Sequence, residues 1–303
     1  MGAMNSAPAA PLPRPRLLAA SLWMALALAS FSVMAVAGRE VAGALDTFEL
    51  MTWRSVIGAL VVTGFAAAKG HLGTVRTRHL RLHLLRNISH FTGQNLWFYG
   101  VATIPLAQVF AFEFTTPIWV ALLAPLFLGE ELTPRRLAAV TLGFLGILVV
   151  ARPGLSPLGP GHLAAALSAV GFAGSVLATK GLSRHDRVLT ILFWMTWMQL
   201  GFGLMTAGWD GRITVPDGAT LPWVVVVGVG GLTAHLSLTT ALSLAPASIV
   251  APMDFLRLPL IALVGALAYG EPLELAVFVG ALLIFIANLV NLRSARPGGP
   301  AHG

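Results

Sequence analysis

Ten stretches of the 303-residue chain are apolar over about 20 residues each, the length an α-helix needs to cross a hydrocarbon core about 30 Å thick. Their approximate limits are 17–37, 47–68, 84–102, 105–128, 134–151, 160–180, 188–209, 221–244, 246–269 and 272–292. Water would not keep such a chain dispersed: 56% of its residues are hydrophobic and 10% charged, against about 25% charged in soluble domains. A transmembrane β-barrel would show short alternating strands, whereas these runs are long, uniform and rich in Leu and Ala. The fold class is therefore an all-α integral membrane protein with ten transmembrane helices. The absence of cysteine excludes disulfides, thiolate-metal sites and cysteine nucleophiles.

Helix punctuation marks the joints. Thr133-Pro134 reads as an N-cap followed by proline at the first helical position, and Gly129 and Gly270 stand where helices should stop. Residues 1–16, with four prolines, and residues 293–303 read as disordered tails. Residues 69–83 form a basic connector that fits the membrane surface. The first run follows Arg14 and Arg16 and ends Ala35-Val36-Ala37, like a signal peptide, but its 21 residues are too many for one.

With the amino terminus in the cytoplasm, fourteen basic residues fall inside: Arg14, Arg16, Lys69, Arg76, Arg78, Arg81, Arg86, Arg135, Arg136, Lys180, Arg184, Arg187, Arg293 and Arg296. Three, Arg39, Arg152 and Arg212, fall outside. This asymmetry puts both termini in the cytoplasm and makes the net charge of +7 an orientation signal. No nucleic-acid-binding motif accompanies it.

The chain also matches itself at an offset of 141 residues. That shift pairs Leu22 with Leu163, Phe31 with Phe172, Arg39 with Lys180, Trp53 with Trp194, Thr92 with Thr233 and Pro105 with Pro246. It also pairs Glu113 with Asp254, Phe114 with Phe255, Gly129 with Gly270 and Glu130 with Glu271. Ten spans are thus five plus five, residues 17–151 and 160–292. Because five is odd, the second copy enters the membrane from the opposite side and the direct repeat becomes inverted in space. Such repeats typify secondary transporters, whose substrate sits near the midplane at the repeat interface.

Ten spans in two repeats, with Pro105 opening a helix and the run FAFEFTTPIWVALLAPLFLGEELTPRRLAAVTLGFLGILVV over 110–150, resemble the drug/metabolite transporter superfamily, EamA type. The run SIVAPMDFLRLPLIALVGALAYGEPLELAVFVGALLIF over 248–285 resembles the same module again. The resemblance covers residues 17–292 and implies a gradient-linked or facilitative carrier of small organic molecules, its cavity lined by the first four helices of each repeat. EFTTPIW (113–119) and DFLRLP (254–259) resemble the branch that handles S-adenosylmethionine-like or amino-acid-like metabolites.

Charges inside a bilayer cost at least about 2.5–3.5 kcal/mol each on insertion scales, so those that remain need a partner or a purpose. Arg54, Glu113, Asp254 and Arg257 qualify, two of each sign. Asp254 and Arg257, three residues apart, share a helix face, and Arg54 is the expected partner of Glu113 across helices. They read either as structural ion pairs or as coupling groups, with Glu113 the first candidate to carry a proton. Asn87, His90, Gln94 and Trp97 form one face of the third span. His235 stands opposite Gln94 in the repeat, with Thr239 a turn further on. These polar groups read as interhelical hydrogen-bonding or as ligand contacts, and both histidines as possible proton carriers.

Trp53, Trp97, Trp119, Trp194 and Trp197 read as cavity walls or as packing, and Trp53 and Trp194 stand out because the repeat relates them. Trp209 and Trp223 fit an interfacial belt. Prolines 105, 117, 246, 252 and 259 should interrupt the fourth and ninth spans. Gly143, Gly146, Gly280 and Ala287 allow close packing, within the fold or in a homodimer.

Enzyme readings lack their motifs: no phosphate-binding glycine loop with its lysine, no paired His/Glu metal helix and no Gly-x-Ser-x-Gly elbow. No cofactor or metal is implied. The expected function is a secondary active or facilitative transporter of a small polar or zwitterionic metabolite, such as an amino acid or nucleoside-like compound, across a bacterial-type inner membrane, with protons as possible coupling ion. A lipophilic drug exporter and a membrane-embedded lipid-modifying enzyme remain the alternatives.

Overall fold

A computed structural model describes residues 14–128, 133–152, 158–209, 211–245 and 247–294. Residues 1–13 and 295–303 of the expected tails, and Gly129, Glu130 and Pro246 of the repeat, lie outside the described residues. Among the described residues there is no strand. The spans are α1 (Arg14–Val41), α2 (Thr47–Ala68), α3 (Leu80–Thr103), the broken pair α4 (Leu106–Glu113) and α5 (Thr116–Leu128), and α6 (Pro134–Ala151). The second set is α7 (Pro160–Leu182), α8 (Val188–Ala207), α9 (Leu221–Leu244), the broken pair α10 (Ala247–Asp254) and α11 (Arg257–Tyr269), and α12 (Leu275–Ser294).

Eight of the ten spans are long and apolar enough to cross a membrane. Of the ninth, Arg257–Tyr269 counts as a shorter apolar helix, and the third carries Arg86, Asn87, His90, Gln94 and Asn95 on its buried side. The breaks lie at Phe114–Thr115 and Phe255–Leu256, 141 residues apart, and each follows the carboxylate that ends the first half-helix. Pro117 and Pro259 sit in the first turn after the break, where a missing backbone N–H costs nothing. Asn288 of α12 donates to the carbonyl of Phe114 at 2.9 Å, satisfying an acceptor beside the break.

Local chemistry explains the helix ends. Asp46 caps α2 by accepting from the Glu49 N–H, while the Glu49 side chain accepts from the Asp46 N–H. Thr133 caps α6 ahead of Pro134 as expected, and Gly270 ends α11 at φ +65°, where a side chain would be strained. Hydroxyls within spans return to their own helix: Thr52, Ser55, Thr179 and Thr239 each donate to the carbonyl four residues back.

The helices pack as the inverted repeat requires. The most extensive contacts are α3 with α7 and α1 with α9, which the repeat interchanges, and α6 with α12 and α2 with α8, which it maps onto themselves. A pseudo-two-fold axis therefore runs between α2 and α8 and between α6 and α12. At the α6/α12 crossing the backbones touch, since a Cβ on Gly146 would lie 2.7 Å from the Gly280 carbonyl oxygen. The small residues first read as a possible dimer contact thus pack the two halves of one chain together. The outer surface is apolar, with Leu126 and Leu267, again 141 apart, each 80% exposed. In water such a surface would aggregate; in a bilayer it is the lipid contact.

Candidate functional site

Two clusters of polar groups occupy the interior. The first forms where the half-helix ends meet. Arg257 reaches Glu113 at 3.1 Å and Asp254 at 3.0 Å, and the Trp97 indole N–H donates to the other Glu113 oxygen at 2.8 Å. The guanidinium sits over the rings of Phe31, Phe110 and Phe114, at 4.6, 5.1 and 5.1 Å from their centroids. Arg257 is 3% exposed and its charge is spread over two carboxylates and three ring faces. Arg257 Nε and Asp254 Oδ1 are buried without a hydrogen-bond partner.

The second cluster surrounds a cavity of about 130 Å³. Arg54 donates to Gln94 Oε1 at 2.8 Å and contacts Met51 Sδ. The expected Arg54–Glu113 pair is therefore not formed. Glu113 belongs to the opposite half's arginine, because the inverted repeat brings the ends of α4 and α10 together while Arg54 faces α3 and α9. His90 and His235 approach with ring centroids 6.3 Å apart, and Phe31 stacks edge-on to His235, so one phenylalanine touches both clusters. The cavity wall is built from repeat-related positions: Arg54 and Met195, Ser55 and Thr196, Gly58 and Gln199, His90 and Gly231 are each 141 apart. The cavity thus draws on both repeats, with most of its wall from α8 and α9. A larger groove of about 310 Å³ between α2 and α8 holds the exposed Leu60 and Trp197, and the Trp197 N–H takes up the hydroxyl of Thr63.

Trp53 and Trp194 do not line the cavity. Each reaches a loop of the other half: Trp53 donates to the Thr214 carbonyl at 2.9 Å and Trp194 to the Val75 carbonyl at 3.0 Å. One residue turn earlier, Glu49 accepts from the Thr214 N–H at 2.7 Å, and its repeat mate Thr190 donates to the Thr74 carbonyl at 3.5 Å. The connector before α3 is held further by Asp186, which accepts from Thr77 at 2.7 Å and meets the buried His83 at 2.8 Å. Burial alone would raise the Asp186 carboxyl, but the Thr77 hydroxyl and the His83 ring outweigh it and hold the group below the usual carboxylate range. The connector is thus tethered to the other half at Thr74, Val75 and Thr77, while Lys69, Arg76 and Arg78 stay exposed.

Two buried polar residues, one of them in the cavity wall, escaped the sequence reading. Gln199, 3% exposed, has a glycine as its repeat mate, so self-alignment does not mark it. Arg86, assigned to the cytoplasmic collar, is 8% exposed and donates to Asn87 at 2.9 Å and Thr179 at 3.3 Å. Taking it out of the cytoplasmic collar leaves thirteen basic residues on the cytoplasmic side against three outside. Its position a turn before His90 on the polar face was the available signal.

The EamA-like transporter family matches residues 18–152 and again 159–293. Among curated proteins, a riboflavin transporter of Rhizobium johnstonii is 33% identical over 283 residues, 92% of either chain. An S-adenosylmethionine uptake transporter of Rickettsia felis is 26% identical over 276 residues, 90% of this chain and 92% of that one. A solved crystal structure, 20% identical, shares the fold with a TM-score of 0.62, covering 91% of this chain and 97% of its own. Two matched repeats on a ten-span inverted fold make the chain a member of the EamA-like transporter family, a multi-pass membrane transporter of small metabolites and not an enzyme.

Proposed function

We propose that the chain is a secondary carrier that moves a small polar metabolite bearing a planar, nucleoside-like ring system across a bacterial-type inner membrane by alternating access, with both termini cytoplasmic. The observation that carries this reading is the cavity itself: repeat-related residues from α2, α3, α8 and α9 wall it, so rocking one half against the other exposes the same groups to either side. A guanidinium, a glutamine and two imidazoles against an apolar wall suit a polar heterocycle better than a lipophilic drug. Riboflavin and S-adenosylmethionine, the cargoes named for two relatives, are the first to test.

In this reading the Glu113–Arg257–Asp254 cluster supplies the coupling. One guanidinium faces two carboxylates, so the cluster has room for a proton, and Phe31 carries any shift of Arg257 to the cavity wall. Counterflow of labelled riboflavin and of labelled S-adenosylmethionine in proteoliposomes, with and without a proton gradient, tests it. The expected result is transient accumulation of one of them, faster with the gradient. Folded protein that accumulates neither overturns the cargo reading, and unchanged rate and pH dependence in both E113Q and D254N overturns the coupling role.

A further inference from the structure

The cavity holds a charge imbalance that the chain does not correct. Among the described residues, Arg54 in the cavity wall meets only Gln94 and Met51, and Arg86, a helical turn before the wall residue His90, meets only Asn87 and Thr179; neither reaches a carboxylate. Glu113 and Asp254, on the broken spans, are committed to Arg257. No acidic side chain lines the cavity, and its walls are largely Val, Leu, Met and Gly. A cation kept in such a place is costly until an opposite charge joins it, and surroundings that exclude water make that pairing strong.

Local shape leaves the guanidinium available. Across from Arg54, α9 has Gly231, where a Cβ would stand 3.0 Å from Nη2. Glycine there gives the guanidinium room on the cavity side. On the facing helix, Gln199 donates weakly to the Asn87 carbonyl at 3.4 Å, while its own Oε1 is buried and accepts from nothing. The wall therefore presents a donor cation and, from the other repeat, an unused acceptor.

We propose that the cavity binds the acidic group of the cargo, a carboxylate or a phosphate, on Arg54, while Gln199 Oε1 accepts from an N–H or O–H of the same molecule. The proposal rests on the carrier reading above and narrows its substrate class. Whole-ligand pockets run to roughly 300–1,000 Å³, so about 130 Å³ suits a head group while the rest of the cargo extends toward the open side.

Two ligand pairs that differ only in the acidic group test this with full-length protein in lipid nanodiscs. Riboflavin 5′-phosphate against riboflavin probes phosphate, and S-adenosylmethionine against its decarboxylated analogue probes carboxylate. In at least one pair the acidic member should bind about tenfold tighter or more, as a charge-assisted hydrogen bond predicts. Arg54→Gln should abolish that preference and Arg54→Lys should keep part of it. Equal binding within both pairs by the wild type overturns the acidic-group proposal and leaves the carrier reading standing. Binding of no member of either pair overturns both, and a preference that survives in folded Arg54→Gln removes Arg54 as the anchor.

Discussion

Arg257 and Arg54 are both guanidinium groups inside the bundle, yet Arg257 faces two carboxylates, one of them also held by an indole, and three phenyl rings, whereas Arg54 faces one glutamine and a cavity. The first is a closed arrangement in which each charged group has a partner within the chain. The second is open, and its missing partner must come from outside the chain. Buried ion pairs seldom add net stability, but removing one member leaves a stranded charge. The contrast predicts that removing the Arg257 cation damages the fold, while removing Arg54 damages binding.

Arg257→Met should give the largest effect, a loss of about 3–5 kcal/mol, because two carboxylates then face each other without a cation. The triple variant Glu113→Gln, Asp254→Asn, Arg257→Met should recover most of it. Thermal unfolding in detergent measures both, and a mild Arg257→Met phenotype would break the distinction between the clusters. Next in size, Gly146→Val should cost about 1–3 kcal/mol by overpacking the α6/α12 crossing, read by the same assay. Arg54→Met should leave stability within about 1 kcal/mol of wild type, since it deletes a charge without a carboxylate partner. Transport should nevertheless collapse in that variant.

The loop anchors sharpen the picture at lower energy. Trp53→Phe and Trp194→Phe each lose one hydrogen bond, worth about 1 kcal/mol, and should speed amide exchange in the loop near Thr214 or near Val75 respectively. Acid should have the smallest effect. The Asp186 carboxyl titrates lower in the folded protein than unfolded, so its contribution is whole above the unfolded value of about 3.9 and fades as pH falls through the lower folded value. Proteolysis of the 69–79 connector should therefore be flat from neutral pH to about pH 5 and accelerate only below about pH 4.

Most of the fold was legible because lipid demands apolar runs of fixed length and the 141-residue offset links two of every five of them by proline, carboxylate or tryptophan. The Asp254–Arg257 contact was expected from their spacing of three, although it bridges the break between α10 and α11 and does not lie along one helix. The Glu113 partner was not legible, because charge sign and depth are the same for Arg54 and Arg257, and only the crossing of α4 with α11 decides between them. Trp53 and Trp194 were recognised as a pair, but periodicity says nothing about a side chain reaching a loop in the other half. Gln199 was invisible because its repeat mate is a glycine, and Arg86 because a basic connector runs without a composition change into the helix that buries it.

A cavity shared by both repeats is the central claim, and the natural absence of cysteine makes it directly measurable. Ser55→Cys and Thr196→Cys place one thiol on each half of the cavity wall, and Gly218→Cys places a control on an exposed loop. With riboflavin or S-adenosylmethionine at about ten times its dissociation constant, alkylation by a small maleimide should slow roughly tenfold at both wall positions. The loop control should be unaffected. Protection at neither wall position, or at one alone, would contradict a cargo site shared by both repeats.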